Sequence, residues 1–201
     1  MAIRRHPPAA PDSHAATSAE GHRLFFALLP DADTRTRLAG VATALRADRP
    51  GWRAHWIHPD RYHATLHFLG NYPSFRPDLV AAARTAAQIV HAAPFEWTLD
   101  HAASFPGRRP PCVLRCSAVP GALQQLWHAL HHALALAGQG DRLANDFIPH
   151  VTLAYGEEAL AEPVAVATVR WQAEDFALLH SVTGQGDHQI LGRWPLVPRI
   201  P

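Results

Sequence analysis

Only two cysteines, Cys112 and Cys116, occur among 201 residues. They stand four apart in an apolar stretch that reads as a strand, where a bridge would be strained, and they lack the spacing of a zinc or redox motif. They read as two reduced, partly buried thiols. No apolar run approaches the roughly 18 residues a membrane span needs. The first twenty positions hold arginine and proline but no continuous hydrophobic segment of the signal-peptide kind. The expectation is a cytoplasmic protein with no membrane partner. An excess of either charge is also missing, since 18 Lys and Arg face 17 Asp and Glu for a formal net charge of +1. Any contact with RNA must then rest on a local basic patch and reach only a terminus or a few nucleotides. A Gly-x-x-x-x-Gly-Lys-[Ser/Thr] loop is absent as well, so nothing suggests nucleotide-driven chemistry.

What is present is ordinary globular material, 48% apolar and 17% charged, enough for one sizeable domain or two small lobes sharing a cleft. Residues 1–21, rich in Ala, Pro, Ser and His without apolar periodicity, read as a disordered tail, and residues 22–201 as a single folded domain. Leu24 to Leu29 reads as a buried strand. Asp31 and Asp33 precede a helix with Leu38, Val41, Ala42 and Leu45 on one face. A strand through Trp52 to Ile57, a further strand and a second amphipathic helix with Leu79, Val80, Ala83, Ala87 and Val90 follow. The second half repeats this order loosely. Strands near Phe95–Leu99 and Val113–Ser117 lead to a helix striped with Leu123, Leu126, Trp127, Leu130 and Leu134 and closed by Gly138. The end of the chain adds strands around 164–171, 176–182 and 189–194, with the turn Gly184-Gln185-Gly186-Asp187 among them. The expected class is α+β, two antiparallel-rich sheets with outer helices.

One pattern occurs twice: His63-Ala64-Thr65-Leu66 and His150-Val151-Thr152-Leu153. At this composition random order gives roughly 0.08 copies of His-x-Thr-Leu, so two copies carry information. Alternation along a strand puts His63 with Thr65, and His150 with Thr152, on one face. If the two strands meet about a pseudo-two-fold axis, their polar faces converge on a cleft with two groups that titrate near neutrality and two hydroxyl donors. That set suits a phosphodiester.

These paired motifs resemble the 2H phosphoesterase superfamily, and the surrounding residues resemble its RNA 2',3'-cyclic phosphodiesterase branch, historically called 2'-5' RNA ligase. The likeness runs from about Arg23 to the C-terminus. It includes Leu24-Phe25-Phe26-Ala27-Leu28-Leu29-Pro30, the stretch His63 to Gly70, Phe147-Ile148-Pro149-His150, and Leu191-Gly192-Arg193-Trp194-Pro195-Leu196. The resemblance implies a bilobal fold around a central cleft. It also implies metal-independent opening of RNA 2',3'-cyclic phosphate ends to a 2'-phosphate, with possible reverse, ATP-independent 2'-5' ligation. By the same likeness His63 is the acid, His150 the base, and no cofactor is needed. Thr65 and Thr152 would hydrogen-bond the non-bridging phosphate oxygens. The chain departs from the pattern at Tyr155, where many members have arginine.

Other residues stay open between roles. The loop Phe105-Pro106-Gly107-Arg108-Arg109-Pro110-Pro111 corresponds to one bordering the cleft in the resembling family. There Arg108 or Arg109 could grip a phosphate and Phe105 stack a base, or the segment is a solvated basic turn. Simple alternation places Tyr155 on the face opposite His150 unless the strand end is bulged. Parity puts His67 on the His63 face, lining the cleft or solvated at a strand end. His128 and His132 are four apart on the third helix, but no Glu-x-x-His pattern or cysteine accompanies them, so they read as surface or boundary histidines and no metal site is expected. Competing functions are a 2H phosphodiesterase for a small nucleotide or nucleotide-sugar cyclic phosphate, a non-catalytic RNA-end binding module, and a histidine-rich metal binder. The chain is expected to act as a monomer.

Overall fold

The computed structural model describes residues 21–198. The expected disordered tail therefore lies outside the described residues, apart from Gly21, whose carbonyl accepts a hydrogen bond from the Thr183 amide at 2.9 Å. In chain order the elements are β1 (His22–Leu28), α1 (Ala32–Asp48), β2 (Ala54–Trp56), β3 (Ala64–Tyr72), α2 (Pro77–Gln88), β4 (Phe95–Ser104), β5 (Pro111–Arg115), α3 (Gly121–Leu134), β6 (Val151–Gly156), β7 (Val164–Ala173), β8 (Asp175–Val182) and β9 (His188–Pro195).

Local chemistry sets the helix ends. The Asp31 side chain caps α1 by accepting from the Thr34 amide at 2.6 Å, and Leu38, Val41, Ala42 and Leu45 form its buried stripe. Pro77 opens α2, where its missing N–H costs no helical hydrogen bond. Past the end of α3, Gly138 takes φ +74, the left-handed conformation that turns the chain away from the helix.

The strands form two sheets, ordered β3-β1-β8-β9 and β2-β6-β5-β4-β7. All their pairings are antiparallel. The expected α+β class with two antiparallel sheets is therefore what the chain forms, but the sheets do not divide it into halves. Short β2, from the first half, pairs with β6 at the edge of the second sheet. Strands β8 and β9 return to the first sheet beside β1. Burial explains the return of β8: Phe176, Ala177, Leu178 and Leu179 are all buried, so consecutive residues need cover on both faces, which a central strand provides. One continuous core joins Leu24, Phe26 and Phe176 of the first sheet to Trp97, Leu114, Leu153 and Trp171 of the second. Cys112 and Cys116 are free and buried within it, and burial raises the Cys112 thiol to about 11.

Candidate active site

Each motif histidine is placed by the same local device. A one-turn helix over Pro59–Arg61 is followed by buried Tyr62, and His63 comes next. Its Nδ1 donates to the carbonyl of Arg61, two residues back, at 2.8 Å. On the other side Ile148, buried Pro149 and His150 repeat the arrangement, and His150 Nδ1 donates to the Ile148 carbonyl at 2.7 Å. A carbonyl can only accept, so Nδ1 carries the proton in both neutral rings and Nε2 is left with its lone pair.

Both histidines line one cleft of about 930 Å³ with Thr65 and Thr152 beside them. Its wall also holds Arg23, Arg61 and Arg109, and no lining residue is Asp or Glu. Burial lowers the pKa of His63, the hydrogen bond to Arg61 opposes this, and positive charge on His150 and Arg61 lowers it further. Burial also lowers His150, with a smaller push from Arg115. An anion in the cleft would offset these penalties, so the site favours a ligand whose negative charge restores a proton to one of the rings.

A third imidazole stands behind the pair. The His188 ring meets His63 edge to face at 5.1 Å and Phe25 at 5.5 Å. Burial, then the charges of His63 and Arg61, press its pKa down to about 4. It is therefore neutral at pH 7 and adds no charge against His63 there. Nothing in the sequence marks it, because it opens β9, 125 positions after His63.

Beyond the motifs, strand alternation fails at matched places. In β3 the register against β1 slips between Thr65 and His67, leaving Leu66 as the extra residue of a bulge. In β6 the register against β5 slips between Thr152 and Ala154, leaving Leu153 extra. Each extra residue has its carbonyl taken by another partner: Leu66 O accepts from the Trp127 indole at 2.9 Å, and Leu153 O from the amide of Ile57, which continues the β2–β6 pairing, at 2.8 Å. The bulges invert parity, which corrects one expectation. His67 does not share the His63 face but lies in the core, 2% exposed, its Nε2 donating to the Trp127 carbonyl at 3.0 Å. Tyr155, by the same inversion, lines the cleft with His150, and so does Phe68 with His63.

The loop candidates separate. Arg109 lines the cleft, whereas Arg108 and Phe105 are not part of its wall. Phe105 instead packs edge-on against His150 at 4.9 Å and lies under the Arg115 guanidinium at 5.9 Å. On α3, His131 packs against Trp127 and His67 at 5.2 and 5.4 Å. Among the described residues no three His, Cys, Asp or Glu side chains gather as a metal site, and no helix is long and apolar enough to cross a membrane.

Two sheets facing a cleft that each receives a His-x-Thr strand define a 2H phosphoesterase fold. The chain belongs to the 2'-5' RNA ligase superfamily, whose family model matches residues 31–185. Among solved structures, E. coli LigT in apo form is 28% identical, with a TM-score of 0.70 over 89% of this chain and 99% of its own. E. coli LigT complexed with 3'-AMP is 26% identical, with a TM-score of 0.67 over 88% and 98% of the two chains. A Thermus thermophilus protein, TT0787, is 26% identical, with a TM-score of 0.67 over 89% and 100%. No curated protein sequence matches the chain.

Proposed function

We propose that the chain hydrolyses RNA 2',3'-cyclic phosphate ends to 2'-phosphates, with His63 and His150 as an acid–base pair. The observation that carries this reading is the matched presentation of two Nε2 atoms, each fixed by a carbonyl two residues back, in one cleft lined by arginine and free of carboxylates. In the reaction neutral His150 takes a proton from water as its oxygen attacks phosphorus. The bond from phosphorus to O3' breaks, and protonated His63 delivers its proton to that oxygen, leaving the phosphate on O2'. Thr65 and Thr152 donate to the non-bridging oxygens, and Arg23, Arg61 and Arg109 offset the charge that develops there. Two imidazoles supply both proton transfers, so no metal or other cofactor is required. The same steps take place when a 5'-hydroxyl replaces water: His150 takes its proton, O5' bonds to phosphorus as the bond to O3' breaks, and His63 protonates O3', giving a 2'-5' linkage without ATP.

That E. coli LigT has been solved with 3'-AMP, ATP and NADP+ supports a nucleotide or RNA end as ligand here. The working unit in this reading is residues 22–201, a cytoplasmic monomer in which the preceding residues take no part. The test is hydrolysis of a 2',3'-cyclic-phosphate-terminated oligonucleotide in EDTA by wild type, His63→Ala and His150→Ala. The expected result is a 2'-phosphate product, with the rate falling about 10²- to 10⁴-fold in either variant. A folded wild type that turns over only a small nucleotide or nucleotide-sugar cyclic phosphate would move the substrate to that class. Binding of the RNA end without turnover of either would make the chain a binding module.

A further inference from the structure

We propose that Arg115, acting through the ring of Phe105, is the positioning residue that makes His150 the base of the pair. This rests on the acid–base reading above and deepens it, because it gives a physical reason for unequal roles in two histidines that are held alike. Arg115 ends β5, one step past the last paired residues Leu114 and Val151, and so stands across from His150. Its guanidinium lies over the Phe105 ring at 5.9 Å, and that ring meets His150 edge to face at 4.9 Å. Laid end to end, the two contacts keep the cation within roughly 11 Å of the imidazole, close enough for its charge to be felt across a low-dielectric ring. His63 has a phenyl brace as well, Phe25 at 5.1 Å, but the group beyond that ring is His188, which is neutral at pH 7.

Place separates Arg115 from the other groups that titrate or carry charge near the pair. Arg23, His55, Arg61, Arg109 and Tyr155 line the cleft, where a phosphate in contact with the two histidines also meets them and its negative charge offsets whatever positive charge they carry. Arg61 is the fixed cation that acts on His63. Its Nε is buried without a hydrogen-bond partner, so a bound phosphate takes up the very charge that opposes a proton on His63. Arg115 is not part of the cleft wall. Among the described residues no carboxylate lies within salt-bridge distance of it. The carboxylate beside its β4 partner His101, that of Asp100, is engaged by the His101 ring at 2.6 Å and by the Ser117 amide at 3.1 Å. With substrate bound the charge of Arg115 therefore persists, and it favours the neutral His150 that must accept a proton from water. Burial, then this same charge, holds the His150 pKa down.

The test compares wild type with Arg115→Gln, Arg115→Met and Arg115→Lys. Methionine keeps an apolar stem against Phe105 without the charge, and lysine keeps the charge without the flat guanidinium. The titration of His150 is read from its Cε1–H signal by NMR, and kcat for a 2',3'-cyclic-phosphate-terminated oligonucleotide is followed against pH on the same preparations. Losing a neighbouring positive charge makes the imidazolium easier to form. Arg115→Gln and Arg115→Met should therefore raise both the His150 midpoint and the acidic limb of kcat by about 0.5 to 1 in pH, roughly a three- to tenfold loss of rate below the limb. The alkaline limb, set by His63, should stay in place, and Arg115→Lys should titrate as wild type does. A His150 midpoint unmoved in the glutamine and methionine variants, or moved as far by lysine, would overturn the proposal. A midpoint that moves without the acidic limb would overturn it too, because His150 would not then be the group whose neutral form the reaction needs. If wild type turns over no cyclic phosphate while the midpoint still follows the charge of this residue, Arg115 acts on His150 and the hydrolase is refuted; turnover with a midpoint indifferent to that charge refutes Arg115 alone.

Discussion

Acid should loosen this fold through one residue, His67. Its ring is almost wholly buried, stacked on Trp127 at 4.8 Å with His131 at 5.4 Å. Burial, joined by positive charge on His131 and His128, holds its pKa at about 4 despite the hydrogen bond to the Trp127 carbonyl. In the unfolded chain the same group titrates near 6.5. Between these two values the unfolded state binds the extra proton, so stability rises with pH and is lost as pH falls. Integrating the difference from pH 7 to pH 4.5 gives a loss of about 2 kcal/mol from this site. Replacement by glutamine keeps an amide donor near the Nε2 position and removes the titration. Urea unfolding followed by tryptophan emission at the two pH values should show wild type losing about 2 kcal/mol more than His67→Gln. The other histidines are common to both proteins and cancel. Equal losses in wild type and variant would refute the account of a buried neutral imidazole.

Catalysis should carry its own acid signature. Both motif histidines are lowered by burial, so the plot of kcat/KM against pH should be bell-shaped, with its acidic limb below the ordinary histidine value; a profile flat from pH 5 to 9 would contradict the pair. Trp127→Phe removes the donor to Leu66 O and leaves a buried carbonyl unpaired, so denaturant unfolding should show a loss of about 1–3 kcal/mol. The same variant should reduce turnover, because that hydrogen bond holds the bulge following Thr65.

The motif histidines were legible in the sequence because their placement is local, the orienting carbonyl lying two residues back in both cases. The helices were legible for the same reason: Asp31 and Gly138 mark ends, and the stripe on α3 is the one that packs. What could not be read is what distant residues decide. Leu66 is a bulge because Trp127, 61 positions on, takes its carbonyl, and without that partner known His67 counts as facing the cleft. The pairing of β2 with β6 and the return of β8 beside β1 depend on which apolar faces remain uncovered once both halves have folded. His188 enters the cleft wall only through that return.

The matched bulges act as a change of reading frame. Upstream of Leu66 and Leu153 odd and even positions mean cleft and core in one sense, and downstream, as far as Phe68 and Tyr155, the meanings are exchanged. Deleting Leu66 would restore the frame, bring His67 to the cleft and send Phe68 inward, a rearrangement that no single substitution could produce. Length at these two points is therefore under tighter constraint than identity: another apolar residue can stand in for Leu66 or Leu153, but neither position can be skipped.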